Sequence, residues 1–317
     1  ENEHEVFGKA LMLAIAYSAS IGGMATLIGT PPNLVLAGVV KESLGVEITF
    51  VQWMLFGLPI SIVLLLLCWL YLTKVAFRFR QKTFPGGRAE IRRQLQELGG
   101  MTAEERQVLV VFILTALAWV SRSFLLKKFI PAIDDTIIAL LSMMVLFVLP
   151  GRKQGRALLH WSDAARIPWG ILLLFGGGLA LADGFTDSGL AAWIGDQMKA
   201  LSLLPLLFLI LIIVASVNFL TEITSNLATT AMLLPILAPM AASIGIHPYY
   251  LLVAATVAAS CAFMLPVATP PNAIVFGSGY LRIPDMVRVG FWLNVISIVL
   301  LTAAVYGLLP RVWGWAF

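Results

Sequence analysis

Charged residues are scarce in this sequence. Only 12% of its 317 residues are Asp, Glu, Lys or Arg, whereas 60% are hydrophobic. This composition excludes a disordered chain and is unlike that of a soluble globular domain, so lipid is the solvent for much of the molecule. The formal net charge of +4 is too small to indicate nucleic-acid binding, and we expect none.

Cysteine and paired catalytic residues are also lacking. Cys68 and Cys261 lie in separate apolar runs, which excludes a disulfide framework and a cysteine-based metal site. The sequence contains no HExxH motif, and it places no Asp pair or Ser–His pairing at membrane depth. We therefore expect that the protein is not an enzyme.

Long apolar runs are present instead. Several reach the roughly 20 residues that a membrane-spanning helix needs, and others are shorter or interrupted by Gly and Pro. The pattern predicts an all-α membrane protein. The apolar segments are 7–29, 53–76, 108–119, 137–149, 167–181, 203–220, 249–267 and 286–309.

The charges of the loops predict which side of the membrane each loop faces. The connectors 74–106 and 151–166 are rich in Lys and Arg, which is typical of cytoplasmic loops. Within the first connector, 86–100 carries Ile91, Leu95 and Leu98 at helical spacing, with arginines opposite. This indicates an amphipathic helix on the cytoplasmic leaflet, and a solvated charged loop is the alternative.

Two proline-containing motifs interrupt apolar runs in the same way. The motif 29-GTPPN-33 follows the first run, and 268-ATPPN-272 follows the run that begins near Tyr249. Each is followed by an aliphatic half-helix, 34–40 or 273–276. Counting the crossings between basic loops places the two motifs in opposite orientations, which favours a paired site over an incidental helix kink.

An unwound segment at membrane depth supplies two kinds of binding group. Its free carbonyl oxygens suit an alkali cation, and the N-terminus of the following half-helix suits an anion. Thr30 and Thr269 add hydroxyl groups, while Pro31 and Pro270 have no N–H that needs a partner.

A polar interruption at 221-TEITSN-226 separates two further apolar segments. The loop counting places both flanks outside, which predicts a re-entrant hairpin with a polar tip, and an ordinary loop is the alternative. Ser225 or Asn226 is expected to cap the returning helix. Glu222 is interpreted as a structural group that accepts backbone N–H bonds rather than as a sodium ligand, although an acidic group at membrane depth can also act in coupling.

With these motifs the chain resembles the divalent-anion:sodium symporter family, whose members carry succinate, malate, citrate or sulfate. The longest matching stretches are 17–38, 221–226 and 259–279, and the loop pattern agrees along the whole chain. The resemblance implies an inverted-repeat transporter, sodium coupling, an elevator-like movement and a homodimer in the plasma (inner) membrane. It divides the chain into a first broken helix (1–50), a linking helix (51–80), an amphipathic segment (81–103), scaffold helices (104–166), a second hairpin and broken helix (167–280) and a C-terminal helix (281–317).

The resemblance also implies the site residues. The implied sodium ligands, largely through backbone oxygens, are Gly29, Thr221, Thr224, Asn226 and Ala268. The implied contacts to the substrate carboxylates are Thr30, Pro31, Ser225, Asn226, Thr269 and Pro270.

The sequence departs from the family pattern in two respects. Leu227 stands where a hydroxyl residue is expected, which leaves the identity of the anion open. A first-repeat Ser-Asn hairpin is also absent upstream of residue 7. We therefore expect one repeat to be incomplete, the full protein to have additional N-terminal membrane segments, and these residues alone not to transport.

The predicted function is sodium-coupled symport of small dicarboxylates such as succinate or malate into the cytoplasm. Citrate or sulfate symport by the same family is the alternative. An anion channel is a less favoured alternative, since a channel would need a continuous polar path, whereas the polar groups here gather at the two motifs and the tip.

Overall fold

In the computed structural model, every regular element of the described residues is helical. These residues are 3–77, 87–151, 157–166, 169–190, 193 and 204–314, and an isolated bridge between Pro150 and Ala157 is the one extended pairing among them. Within these ranges five helices are long and apolar enough to cross a membrane. The prediction of an all-α membrane protein is therefore confirmed.

The helices follow the apolar segments of the sequence. The bounds are α1 Glu3–Gly23, α2 Pro31–Leu44, α3 Phe50–Leu70, α4 Gly87–Leu98, α5 Ala103–Ser121, α6 Asp135–Val148, α7 Trp161–Ala164, α8 Trp169–Asp187, α9 Leu206–Leu220, α10 Asn226–Ser243, α11 Tyr249–Ala259, α12 Pro270–Phe276, α13 Ile283–Ala303 and α14 Leu309–Trp313. Three of these helices continue as π-helical turns, α3 to Ala76, α5 to Leu126 and α13 to Leu308.

The chain forms two compact units. The first, which we call the core unit, comprises Glu1–Ile48, Gln52–Arg80 and Gly170–Phe317. The second, the peripheral unit, comprises Thr49–Val51 and Gln81–Trp169.

Helix α11 is the centre of the core unit. All of its residues are buried, and α2, α9, α10 and α13 pack around it. Its sequence explains this position, since Ala254, Ala255, Ala258 and Ala259 are small enough for neighbouring helices to approach closely. The motif 29-GTPPN-33 lies at the junction of α1 and α2, and 268-ATPPN-272 lies at the junction of α11 and α12. The helices of one pair contact those of the other, since α1 packs against α12 and α2 packs against α11.

The peripheral unit is held together by polar contacts between apolar helices. The Arg122 guanidinium is fully buried and lies 3.0 Å from the Asp135 carboxylate, which also accepts the backbone N–H of Phe50 at 3.1 Å. The Trp119 indole donates to the Asp135 carbonyl oxygen at 3.0 Å and stacks on Phe50. These contacts attach the first residues of α3 to α5 and α6.

The amphipathic segment is a helix, α4. Its apolar residues Ile91, Leu95 and Leu98 are 56%, 66% and 81% exposed. Gly99 follows with a φ of 70°, a left-handed conformation that ends the helix and favours glycine. The helical part of the prediction is confirmed, and its location on the leaflet stays a prediction.

Candidate functional site

The two interrupted helices unwind before their prolines rather than at them. Helix α1 ends at Gly23 and α11 ends at Ala259, so the unwound segments are 24–30 and 260–269. The prolines then begin the next helices, at the first positions of α2 and α12. The half-helices expected at 34–40 and 273–276 therefore begin earlier, at Pro31 and Pro270, because a proline in the first turn of a helix loses no hydrogen bond and has a suitable φ. The unwound backbone is longer than the motifs indicated.

The threonines before the prolines have the same backbone conformation but different partners. Thr30 has φ −148° and ψ 144°, and Thr269 has φ −141° and ψ 151°. The Thr269 hydroxyl accepts the backbone N–H of Asn272 at 3.2 Å, whereas the Thr30 side chain makes no capping bond. The Thr269 hydroxyl thus accepts a hydrogen bond and keeps a proton that it can donate to an anion.

Asparagine holds each unwound segment in the same way. The Asn33 amide donates to the carbonyl oxygens of Gly23 at 3.4 Å and Thr26 at 2.8 Å. The Asn272 amide donates to those of Ala262 at 3.2 Å and Leu265 at 3.0 Å. In both cases the acceptors lie ten and seven residues upstream. The two breaks therefore share a hydrogen-bond pattern as well as a motif.

A glycine from a neighbouring helix packs on each unwound segment. A Cβ at Gly57 would collide with the Met24 carbonyl oxygen, and a Cβ at Gly290 would collide with that of Phe263. Met24 and Phe263 occupy corresponding positions, each nine residues before its asparagine. Only a residue without a side chain allows the helices this approach.

The two unwound segments meet inside the core unit. The Met24 and Cys261 sulfur atoms are 3.6 Å apart, and the Tyr17 ring packs edge-on against Phe263 with centroids 5.1 Å apart. Both breaks therefore belong to one region. Their opposite orientation stays a prediction.

The polar tip connects α9 to α10, and it contains the predicted cap. Ser225 is the N-cap residue of α10, as expected, although its side chain makes no capping hydrogen bond. The Thr221 hydroxyl lies 2.6 Å from Oδ1 of Asn226 and 3.1 Å from the Ala259 carbonyl oxygen. The Thr224 hydroxyl donates to the Leu220 carbonyl oxygen at 2.9 Å. The tip thus contacts the end of α11, where the second break begins.

Glu222 joins the tip to the second break. Its carboxylate is 3% exposed and accepts the backbone N–H groups of Phe263, Met264 and Leu265 at 2.8 to 3.1 Å. It also accepts the Asn294 amide at 2.7 Å. The interpretation of Glu222 as an acceptor of backbone N–H bonds agrees with this geometry. The N–H groups that it accepts, however, belong to the unwound segment rather than to the tip itself. The carboxylate therefore replaces the helical partners that these N–H groups lack.

The two breaks differ in exposure. Ala268 and Thr269 are 5% and 4% exposed, whereas Gly29 is exposed and Thr30 is half-buried. The carbonyl oxygens of Gly29 and Ala268 accept no hydrogen bond from any described residue. Both are therefore available as cation ligands, but only the second break is enclosed by the described part of the chain.

The predicted residues fall into two groups. Thr221, Thr224 and Asn226 gather at the tip, where Thr221 and Glu222 connect them to the break that contains Ala268 and Thr269. Gly29, Thr30 and Pro31 form no hydrogen bond with the tip residues among the described contacts, although α2 packs against α10. The assignment of these side chains to sodium and substrate stays a prediction.

Sequence reasoning missed the residues that support the site. Asn33 and Asn272 are the last residues of the repeated motif, and their repetition was the available signal. Asn294, Gly57 and Gly290 carry no local signal, because their function depends on a neighbour distant in the sequence. Among the described residues no three His, Cys, Asp or Glu side chains gather at a possible metal centre.

Comparison with known proteins agrees with these features. Residues 1–313 match the family model described as the sodium:sulfate symporter transmembrane region. The sodium-dependent dicarboxylate transporter SdcS of Staphylococcus saprophyticus is 48% identical over 312 residues. That of Staphylococcus aureus strain USA300 is 47% identical over 312 residues.

These alignments cover 97% of the chain and 60% of each relative, so the chain spans less than two thirds of the relatives' length. The family and these relatives are transporters, which agrees with the expectation of a multi-pass plasma-membrane protein that is not an enzyme. The match extends over almost all of the sequence and includes both breaks and the tip, and this 317-residue chain therefore belongs to the sodium:sulfate symporter family.

Proposed function

We propose that the protein containing this chain couples the entry of small dicarboxylates, such as succinate or malate, to the inward movement of sodium ions. The observation that carries the proposal is the pair of matched unwound segments, which meet at Met24 and Cys261 beside a polar tip. Relatives at 48% identity are named as sodium-dependent dicarboxylate transporters, which supports the same function here.

The sodium ligands in this proposal are oxygens of the breaks and the tip. Sodium is a hard cation, and the carbonyl oxygens of unwound backbone are among the ligands that bind it in transporters, as neutral hydroxyl and amide oxygens can. Thr221, Thr224, Asn226 and the Ala268 carbonyl supply such oxygens for one ion, and the Gly29 carbonyl supplies one for a second ion. Glu222 stays outside this set, because its oxygens already accept backbone and amide hydrogen bonds.

The substrate groups in this proposal lie beside the sodium ligands. Ser225 is exposed and Thr269 keeps a hydroxyl proton, so both can donate to one carboxylate together with the Asn226 amide. Thr30 and Pro31, on the other break, would meet the second carboxylate. Two donor groups some distance apart suit a dicarboxylate better than a compact anion such as sulfate.

An apolar groove supports the proposal that the site is completed by a second hairpin. In the second half of the chain, α9 packs against both α11 and α13. The corresponding helices of the first half, α1 and α3, enclose an open apolar cavity of about 550 Å³. A Ser-Asn pair occurs once in the 317 residues, at 225–226, so this second hairpin would come from outside them.

The proposal extends to movement and assembly. The core unit holds both breaks and the tip, so it would carry the substrate across the membrane. The peripheral unit has helices with many exposed apolar residues, such as Phe112 and Leu114 on α5, and it would form the scaffold of a homodimer.

Uptake by the full-length protein in proteoliposomes tests the function. We expect saturable succinate uptake that stops when potassium replaces sodium, and competition by malate. Current that does not saturate with substrate would indicate a channel, and chemical conversion of succinate would indicate an enzyme. Stronger competition by citrate or sulfate than by malate would contradict the dicarboxylate assignment.

A further inference from the structure

A polar cavity lies within the core unit, away from the breaks and the tip. It has a volume of about 930 Å³ and is enclosed by the start of α1, the end of α3 with its π-helical turn, and the first half of α13. Its walls include the charged residues Lys9, Asp285 and Arg288 and the aromatic residues Tyr71 and Trp292. None of these residues belongs to the proposed transport site.

The cavity has an uncompensated positive charge. Lys9 lies 3.1 Å from the Asp285 carboxylate, so these two charges offset each other. Arg288 is exposed and forms no ion pair or hydrogen bond with any described residue. The Tyr71 hydroxyl is already engaged, since it donates to the Val289 carbonyl oxygen at 3.1 Å. Arg288 is therefore the group that can bind an anion here.

An apolar stripe extends from Arg288 along α13. Trp292, Ile296 and Val299 follow it at intervals of four, four and three residues, which places all of them on one helix face. Trp292 and Val299 are 56% and 62% exposed, and Val75 on the opposite wall is 69% exposed. A ligand that fits these features has an anionic head and a long apolar tail.

The charge pattern indicates which membrane leaflet supplies this ligand. The basic connector after α3 is predicted to face the cytoplasm, and counting the membrane crossings places the stretch that contains Arg282 and Arg288 on the same side. The cavity joins these two ends, in agreement with that assignment. The cytoplasmic leaflet is the one whose anionic lipids attract basic groups, and Trp292 has the amphipathic ring typical of the membrane interface.

We propose that this cavity binds one anionic glycerophospholipid from the cytoplasmic leaflet. The phosphate contacts Arg288, and an acyl chain lies along Trp292, Ile296 and Val299. A free phosphate ion would leave the apolar stripe without a function. A zwitterionic lipid would not match the net positive charge.

Native mass spectrometry of the full-length protein in detergent tests the proposal. Dioleoylphosphatidylglycerol should be retained at one molecule per chain, in preference to dioleoylphosphatidylcholine. Arg288→Gln should weaken phosphatidylglycerol binding about fivefold, the effect of one surface cation near an anionic lipid. Dihexanoylphosphatidylglycerol, which has the same head but short chains, should bind more than about tenfold more weakly.

Lys74→Gln is the matched control, because Lys74 is exposed at the same end of α3 but does not line the cavity. It should bind phosphatidylglycerol as the unmodified protein does, and thermal melting should show that both variants are folded. If Lys74→Gln lost as much phosphatidylglycerol binding as Arg288→Gln, the proposal would be overturned in favour of unspecific attraction between basic residues and anionic lipid. Equal binding of phosphatidylcholine would overturn the role of the headgroup charge. Displacement of the lipid by inorganic phosphate at the same concentration would overturn the role of the acyl chain.

Discussion

At the residue scale, Glu222 is the most consequential polar side chain of the core unit. It is an acidic residue in an apolar environment, yet its oxygens face three backbone N–H groups and one amide. Such a group costs free energy to bury, and the four donors offset that cost. Its function in our account is to hold the unwound segment in place beside the tip.

Glu222→Ala should therefore destabilise the protein and weaken sodium dependence together. The loss leaves the buried N–H group of Phe263 and the part-buried N–H groups of Met264 and Leu265 without a partner, which costs on the order of 3 kcal/mol. Thermal unfolding in detergent and the sodium concentration for half-maximal uptake measure the two effects. Glu42→Ala, at an exposed position of α2, is the control. Equal melting temperatures for the two variants would refute the supporting function of Glu222.

The asparagines of the repeated motif have a similar function at both breaks. Asn272→Asp removes the donor that binds the carbonyl oxygens of Ala262 and Leu265 and brings a carboxylate close to them. We expect a loss of about 2 kcal/mol or more in the free energy of unfolding. The corresponding variant Asn33→Asp should be destabilised for the same reason. Chemical denaturation of both variants measures this free energy. An unchanged free energy of unfolding at either position would contradict the claim that the two asparagines have the same function.

At the element scale, close helix packing depends on two glycines. Gly290→Ala places a Cβ against the Phe263 carbonyl oxygen, and backbone atoms have to move to relieve the collision. We expect a loss of about 1–3 kcal/mol, measured as a lower melting temperature. Gly22→Ala is the control, because nothing lies near its Cβ position in α1 and alanine favours a helix. A melting temperature for Gly290→Ala as high as that of the control would contradict the packing.

Buried Arg122 and part-buried Asp135 form an ion pair that holds the first residues of α3 within the peripheral unit. Arg122→Leu removes this cation from the Asp135 carboxylate. Such a loss costs about 3–5 kcal/mol for fully buried pairs, and we expect less here because the Asp135 side chain is 20% exposed. The melting temperature should fall strongly in Arg122→Leu, and adding Asp135→Asn in a double variant should partly restore it. Arg93→Leu is the comparison, because Arg93 and Glu97 form an exposed pair 3.6 Å apart and little change is expected there. Equal effects of the two arginine variants would contradict the account.

Sequence reasoning succeeded where a local pattern decides the structure. Apolar length identified the helices, and helical spacing identified α4. The cap of α10 was narrowed to two candidates, Ser225 and Asn226, and the structure has Ser225 there, since both serine and asparagine are good N-cap residues. The starts of α2 and α12 were placed too late in the sequence, because prolines in the first turn of a helix are compatible with it. The true helix ends, at Gly23 and Ala259, depend on side chains outside the helix itself. Asn33 and Asn272 act from seven to ten residues downstream of their acceptors, and Glu222 contacts backbone N–H groups 41 to 43 residues away in the sequence.

At the scale of the whole molecule, the two breaks are equivalent in hydrogen bonding but not in environment. The second break is enclosed by the tip, and Ala268 and Thr269 are buried. The first break leaves Gly29 exposed, and an open apolar groove lies between α1 and α3 in the same half of the chain. This difference follows if a second hairpin normally covers the first break. The lack of a second Ser-Asn pair in the 317 residues led to the expectation of an incomplete first repeat, which stays a prediction.

The 317 residues expressed alone should therefore not transport. Proteoliposomes that contain this chain should accumulate no succinate in a sodium gradient, while the full-length protein should. Circular dichroism should show that the shorter protein is helical, so that a loss of folding is distinguished from an incomplete site. Sodium-dependent uptake by the chain alone would refute the requirement for a second hairpin.

The central claim is that the tip at residues 221–226 and the two breaks form one site for sodium and dicarboxylate. The most direct test is succinate uptake by full-length variants of Asn226 and of the two serines that flank the ends of α10. Asn226→Ala and Ser225→Ala should each lower uptake at least about tenfold, since each removes polar groups proposed to bind ligand. Ser243→Ala, at the far end of α10, should transport as the unmodified protein does. Intact uptake by Asn226→Ala would contradict the account.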